Sequence, residues 1–489
     1  MKSNTSRNVS RRNFIKTAST ATGLIIMAGK APFSYALNDK VKVGCVGCGG
    51  QGSFHIKDGL MGTSDIVITA VCDAYGPHQR LAVQLAQISN AGIALEPGQG
   101  LTEEQRQKAI AAFKPKSYYD YREMLEKEEL DAVVIATPLH THYQITMDSL
   151  SAGKYVFCEK TMCYEIEQAR DVVKKCHETG KWVQVGHQRR YNPLYNKALM
   201  MIWEEGTIGR IVHIDAQWHR NNDWRRPINK DHKLNSQEAR FIKDLERYMN
   251  WRLYKESSRG LLTELATHQL DIVSWFLDAV PKRVYGCGSL DYWRDGREIH
   301  DSINVIYEFD ITPENRGYRA INARSSYQDK MAINQPYTVQ LMYSSITANA
   351  KKGCNELIQG DEGTIELSEE GGTFYPEATA KISWGESGSA EQTATVITSG
   401  GTLKLSNKAL QEGKPIVVDN TRSVDQLQFM RFAKDIKEGG VPKANQMVGL
   451  RATVMALSGY QAIEERRMVE IDPALYTFDF PTPDPSMVS

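Results

Sequence analysis

From residue 41 onward, short apolar runs alternate with longer stretches that suit helices. VKVGCV (Val41–Val46) runs into a glycine cluster, a helix-compatible stretch begins at Ser53, and DIVITAVCD then ends in Asp73. DAVVIATPLHTH (Asp131–His142), KYVFCEKT (Lys154–Thr161) and KWVQVGHQ (Lys181–Gln188) repeat the pattern with helical segments between them. Buried strands alternating with helices predict an α/β fold, a doubly wound parallel sheet whose ligands sit at the carboxyl ends of the strands. After EEGTIGRIVHIDAQWHRNNDWRRP the period moves toward two, with strands at Arg210–Trp218 and Ser302–Asp310 and a hairpin turning at Gly360–Gly363. That period predicts a second, sheet-based domain. The expected division is a leader over 1–36, a nucleotide-binding domain over 38–187, the sheet domain over 188–471 and a tail over 472–489.

The glycine cluster narrows the chemistry. Gly47, Gly49 and Gly52 are spaced G-x-G-x-x-G between a strand and a helix, so Gly47, Cys48, Gly49, Gly50, Gln51 and Gly52 are candidate contacts for a dinucleotide. The first glycine makes the turn, the second lets backbone approach a pyrophosphate, and the third lets helix pack on strand. Asp73, at the end of the second strand and 21 residues beyond Gly52, suits a ribose 2′-hydroxyl and repels a 2′-phosphate, which favours NAD over NADP. At the end of the Asp131–His142 stretch the chain turns out over the cofactor, making Thr137, Pro138 and His142 further contacts. His140 and His142 could form a metal pair, but no carboxylate lies near them in sequence to complete a site, so they read as packing beside the dinucleotide, and no metal is expected.

Charge and composition close off other classes. Residues 1–36 hold six basic residues and no acidic ones, so their removal takes the chain from 59 basic and 59 acidic residues to 53 and 59, a formal charge of −6. Such a chain lacks the footprint of a nucleic-acid binder. All eight cysteines fall after residue 36 without a small-domain disulfide framework. Cys45 and Cys48 form a C-x-x-C inside the glycine turn, with no second such pair to complete a zinc site, and read as small residues filling a tight place.

The leader has its own signature. SRRNFIK (Ser10–Lys16) precedes a weakly apolar run and SYA (Ser34–Ala36). The run is too short to span a bilayer, which needs roughly 20 residues. Twin arginines before such a run and a small-x-small site predict export by the twin-arginine translocase, cleavage after Ala36 and a periplasmic or otherwise extracytoplasmic location. That route carries folded proteins, so NAD is expected to travel bound and to be reoxidised in place.

Taken together, Gly47–Gly52, ATPLHTH, AGKYVFCEK, GHQRRYNP, GLLTELATHQLDIVSW (Gly260–Trp275) and GLRATVMALSGYQAIEERRMVEI (Gly449–Ile471) resemble the Gfo/Idh/MocA family over most of the chain after the leader. The resemblance implies a Rossmann domain followed by an α/β domain with a large, open, mainly antiparallel sheet, an outer face that assembles homo-oligomers, and sugar or polyol substrates. The family's Glu-Lys-Pro motif falls on Glu159, Lys160 and Thr161, which implies that Lys160 hydrogen-bonds the reacting hydroxyl; threonine replaces the proline. Glu159 and Gln188 join the cofactor contacts. The family's Asp-x-x-x-His pair lands on Glu264 and His268, which implies that His268 is the general base and that Glu264 either orients it or touches substrate.

The residues themselves add a second view of that helix. Glu264, His268, Asp271 and Trp275 recur at i, i+4, i+7 and i+11, so a polar stripe on an apolar helix must line a cleft or be paired internally. Arg190 and Tyr191, after the last Rossmann strand, are substrate candidates. So are Trp224 and Trp251 in a Trp- and Arg-rich insertion, 219–259, although that composition equally suits a subunit interface. The expected activity is NAD-dependent oxidoreduction of a sugar, polyol or glycoside. A redox-neutral glycosidase working through a transient keto sugar is the alternative, and a non-catalytic sugar- or NAD-binding protein is a third reading. Trp384–Gly401 reads as a surface excursion without chemistry.

Overall fold

A computed structural model of the protein describes residues 39–61, 63–92, 102–320, 335–368, 371–377, 413–419 and 422–487. The leader over 1–36 and the Trp384–Gly401 excursion lie outside the described residues. Among those described, no helix is long and apolar enough to cross a membrane.

Six strands form the first sheet: β1 (Val41–Val46), β2 (Ile66–Cys72), β3 (Lys116–Tyr118), β4 (Ala132–Ile135), β5 (Tyr155–Cys158) and β6 (Val183–Val185). Their spatial order is β3-β2-β1-β4-β5-β6, and every pairing is parallel. A parallel sheet is covered on both faces, which is why these strands read as unbroken apolar runs. The direction of winding reverses between β1 and β4, and the loops leaving their carboxyl ends part to leave a crevice.

The second sheet contains β7 (Ile211–His219), β8 (Arg283–Ser289), β9 (Ser302–Ile311), β10 (Tyr337–Ile346), β11 (Cys354–Gly360), β12 (Gly363–Ser368), β13 (Gly372–Pro376), β14 (Lys414–Pro415) and β15 (Val469–Glu470). They run in the order β14-β13-β12-β11-β7-β10-β9-β8-β15, antiparallel except for β7 beside β10. Alternation shows in β10, where Val339, Leu341 and Tyr343 are buried and Met342 is exposed. The helix Thr267–Leu277 is buried along its whole length within the same core as these inward residues.

The helix Gln446–Glu465 is packed from two sides. A Cβ on Gly449 would lie 2.6 Å from Met162 Sδ and 2.7 Å from a methyl of Val185, both in the Rossmann half, whereas one on Gly459 would meet the Tyr307 hydroxyl of β9 at 2.3 Å. Contacts therefore cross the expected division at 187/188. The helix Val424–Glu438 returns to the first sheet and buries Phe429, Phe432 and Ala433 among Val41, Val43, Ile56 and Phe157. Each buried phenylalanine contributes about 1.5–3 kcal/mol to that seam. An apolar helical face reveals that it is buried, not which sheet it covers.

Candidate functional site

The turn after β1 is built from contacts that only glycine permits. Gly47 has φ of +83°, and a Cβ there would lie 2.7 Å from the carbonyl carbon of Ala136. A Cβ on Gly52 would meet the Gly47 oxygen at 1.9 Å, so the helix can pack here only without one. Gly49 is different, because its Cβ would find nothing nearer than the His78 ring at 3.5 Å. The loop is thus packed on its inner side and bare on the side facing a cleft of about 770 Å³, within the usual range for ligand sites. A pyrophosphate fits that cradle.

Asp73 borders the same cleft, 5% exposed. Its carboxylate accepts from the Cys48 N–H at 2.7 Å, the Tyr75 N–H at 2.8 Å and the Tyr248 hydroxyl at 2.9 Å, and His78 Nδ1 lies 3.4 Å away. The three hydrogen bonds take three of a carboxylate's roughly four acceptor positions, since His78 Nδ1 makes none among the described residues, so they orient Asp73 and leave one position open for a ribose hydroxyl. Burial first, and then the charge of Asp73, pushes the Cys48 thiol well up, while burial alone raises Cys45 to about 12. Both stay protonated at neutral pH and fill space.

The loops after β4 and β5 supply the next wall. His142 is buried, with its ring nitrogens 2.9 Å from the carbonyl oxygens of Thr161 and Thr137. Its nitrogens are thereby engaged with backbone, and Thr137, Pro138 and Gln188 border the cleft beside it. Glu159 lies 2.6 Å from His55 Nε2 through one oxygen and accepts the Lys160 N–H at 3.0 Å through the other. Burial would raise its pKa, but the His55 contact and the Lys160 charge prevail and hold it below the ordinary carboxylate value. Gln51 Nε2 is 3.5 Å from the same Glu159 oxygen that faces His55. His55 escaped the sequence reading; its only signal was a histidine three residues after Gly52 on the helix that follows the loop.

Lys160 and His268 both border this cleft, together with Glu264, Trp224 and Trp251. Lys160 Nζ donates to the backbone oxygen of Glu264. Burial, reinforced by Arg252 and Arg220 against the opposing pull of Glu264 and Glu159, lowers its pKa from 10.5. His268 is pushed well below 6.5 by burial first and by Lys160, Arg189 and His187 after it. Its ring stands 5.6 Å from Trp218 between centroids. A neutral imidazole can therefore accept a proton beside an ammonium that can donate a hydrogen bond.

The helix carrying Glu264 and His268 is not regular. Leu262–Ala266 form a π-helical turn before the α-helix Thr267–Leu277. The Glu264 carboxylate accepts from Arg252 Nε at 3.1 Å and from Ser258 Oγ at 3.2 Å, while the buried Nδ1 of His268 has no hydrogen-bond partner among the described residues. Glu264 is thus tied to the insertion. Farther along, Asp271 and Trp275 do not face the cleft. Arg190 clasps Asp271 from Nε and Nη2 at 2.7–3.0 Å, donates to the Pro485 carbonyl at 2.6 Å and lies 4.8 Å from the Trp275 ring centroid.

Arg190 and Tyr191, read as substrate contacts, therefore need correcting. Arg190 is 1% exposed and paired internally, and Tyr191 is 7% exposed with its hydroxyl accepting from the Ala444 N–H at 3.2 Å. The chain after β6 turns inward as a 3-10 turn over Gln188–Tyr191, and only Gln188 reaches the cleft. Within the same structure the insertion comes down on the Rossmann half. Besides the Tyr248 bond to Asp73, Glu238 accepts the Gly76 N–H at 2.8 Å. Sequence reading missed Tyr248 and Glu238, which lie in stretches rich in charged residues without a motif.

Two family models match the chain: an oxidoreductase family, NAD-binding Rossmann fold, over residues 100–187, and a GFO/IDH/MocA C-terminal domain over 197–312. An inositol 2-dehydrogenase/D-chiro-inositol 3-dehydrogenase of Lactiplantibacillus plantarum is 28% identical over 239 residues, 48% of this chain and 52% of that protein. A glycosyl hydrolase family 109 protein of Shewanella baltica is 24% identical over 292 residues, 55% of this chain and 56% of that protein. The chain thus aligns with about half the length of each. Among solved structures, an NAD-binding protein from Listeria innocua superposes with a TM-score of 0.59 at 20% identity, covering 88% of this chain and 99% of that one, which shows a shared fold.

Proposed function

The chain belongs to the Gfo/Idh/MocA oxidoreductase family, with an NAD-binding Rossmann domain, and from that premise we propose that it oxidises a hydroxyl-bearing carbon of a sugar, polyol or glycoside. The observation that carries the reading is the meeting of Lys160 and a neutral His268 in the cleft bordered by the glycine loop. When bound, NAD supplies a two-electron acceptor. His268 takes the proton of the substrate hydroxyl, and Lys160 donates a hydrogen bond to the same oxygen as its C–O bond gains double-bond character. Trp218, Trp224 and Trp251 supply flat apolar faces against which a sugar ring can lie. Intact groups for proton transfer weigh against a binding protein without chemistry.

The likeness to a glycosyl hydrolase family 109 protein favours a second reading, redox-neutral cleavage of a glycoside. Oxidation of a ring hydroxyl acidifies the neighbouring C–H, the aglycone leaves by elimination, water adds, and the ketone is reduced again. His268 is placed to accept protons in either scheme. Release of an aglycone without an added carbonyl acceptor favours this second reading, whereas turnover that requires such an acceptor favours net oxidoreduction. We further propose that the protein is exported by the twin-arginine route with NAD bound and assembles as a homo-oligomer through the outer face of the second sheet, where Val212 and Met342 are 42% and 46% exposed.

The test is reduction of NAD in a single turnover, followed by absorbance at 340 nm after adding candidate sugars and glycosides. Lys160→Met and His268→Ala should each slow it by about 10²- to 10⁴-fold while leaving NAD content near the parent's. A His268→Ala protein that reduces NAD at the parental rate would remove the imidazole from the reaction.

A further inference from the structure

The insertion brings to the glycine loop a cation that has no counterion among the described residues. A Cβ built on Gly50 would stand 3.0 Å and 3.1 Å from the two terminal guanidinium nitrogens of Arg226, so this side chain lies directly across the bare backbone that faces the cleft. Among the described residues Arg226 makes no side-chain ion pair or hydrogen bond, although other arginines of the insertion are paired: Arg225 with Glu246 and Asp295, Arg247 with Glu256 and Glu298, Arg252 with Glu264. Loss of surrounding water and the nearby Arg252 charge both push its pKa down, the sign of a cation without a compensating anion.

Its backbone, in contrast, is fixed. Asn250 accepts the Arg226 N–H at 2.6 Å and donates to the Arg226 carbonyl at 3.3 Å. The same insertion is fastened to the Rossmann half through Tyr248 on Asp73, and through Glu238, which accepts from the Gly76 N–H and faces His232 Nε2 at 3.0 Å. A positioned but unpaired guanidinium at the phosphate turn calls for a bidentate anion.

We infer that Arg226 is a ligand of the dinucleotide pyrophosphate, supplied to the glycine loop by the 219–259 insertion, which straps the cofactor in place. This rests on the proposal that NAD occupies the cleft. The pyrophosphate brings negative charge, the loop supplies backbone contact, and Arg226 adds a charge-assisted pair on the solvent side. Departure of the cofactor then requires both the Arg226 contact and the Tyr248 and Glu238 ties to open, as the proposed retention of the dinucleotide through repeated turnovers demands.

The experiment compares the whole chain with Arg226→Ala, Arg226→Lys and Tyr248→Phe. NAD per chain is measured after gel filtration by acid extraction and mass spectrometry, and release is followed by exchange with isotopically labelled NAD. Arg226→Ala should release NAD on the order of 10- to 100-fold faster, with Arg226→Lys in between and exchange accelerating with salt. Tyr248→Phe should also accelerate release, by less. Unfolding temperatures of the NAD-stripped proteins should agree, which separates cofactor contact from misfolding. Parental exchange in Arg226→Ala overturns the inference while the proposed function stands; so does a variant with parental exchange but an altered KM for sugar, which would make Arg226 a substrate contact. A parent that cannot be loaded with NAD at all overturns the proposed function and the inference with it.

Discussion

At the scale of single residues, environment rather than identity sets the chemistry of Lys160 and His268. For the proposed proton transfer His268 must be neutral, and its pKa lies well below 6.5 because burial and neighbouring cations oppose its charged form. Activity that depends on it should persist as pH falls through 6.5 and decline only below that. Lys160 must be charged to donate, and its pKa lies below 10.5 because burial opposes the ammonium, so the alkaline limb should set in below that value. A kcat/KM profile against pH checks both; Lys160→Met should lose the alkaline limb. A profile whose acid limb is centred at or above 6.5 would contradict the environment described for His268. The motif spacing brought Glu264 and His268 together in sequence, but not the partner that Glu264 takes. Arg252, twelve residues earlier in the chain, occupies its carboxylate, and no helical period reaches that contact.

At the scale of elements, the strand-loop-helix unit at Val41–Phe54 separates glycines that serve packing from those that face a ligand. Gly52→Ala places a methyl 1.9 Å from a backbone oxygen, so it should destabilise the fold by several kcal/mol or prevent folding, like other severe overpacking substitutions in a core. Gly49→Ala has a negative φ of −67° and no near neighbour, so stability should stay within about 1 kcal/mol of the parent while NAD content falls. Chemical denaturation paired with cofactor extraction distinguishes them. The spacing G-x-G-x-x-G was legible in the sequence because each glycine answers a local demand of turn, approach or packing. The π turn over Leu262–Ala266 was not legible, since an apolar helix of that composition reads as regular until its contacts with the insertion are known.

At the scale of the whole molecule, the site belongs to no single segment: the cleft is walled by the Rossmann loops, the insertion and the Leu262–Leu277 helix. The proposed export with NAD already bound suits such a site, because NAD is charged and is not expected free outside the cytoplasm. Replacing Arg11 and Arg12 together by lysine should therefore leave a folded, NAD-containing protein in the cytoplasm, as cell fractionation with mass spectrometry would show. Continued export of that variant would remove the twin-arginine step from this account. By itself the sequence marked the parallel first sheet, a second sheet-based domain, the glycine loop with Asp73 beyond it and the polar stripe of the helix bearing Glu264 and His268, because backbone demands and hydrophobic period act over a few residues and leave local marks; Lys160 was singled out only by the family resemblance. Tertiary structure alone decided that the helix at 424–438 seals the first sheet, that Arg190 and Tyr191 turn inward, and that Tyr248 and Arg226 stand at the dinucleotide cleft. Those outcomes join residues tens to hundreds of positions apart, and a side chain's partner across such a distance is chosen by packing and charge in three dimensions, which leave no period in the chain.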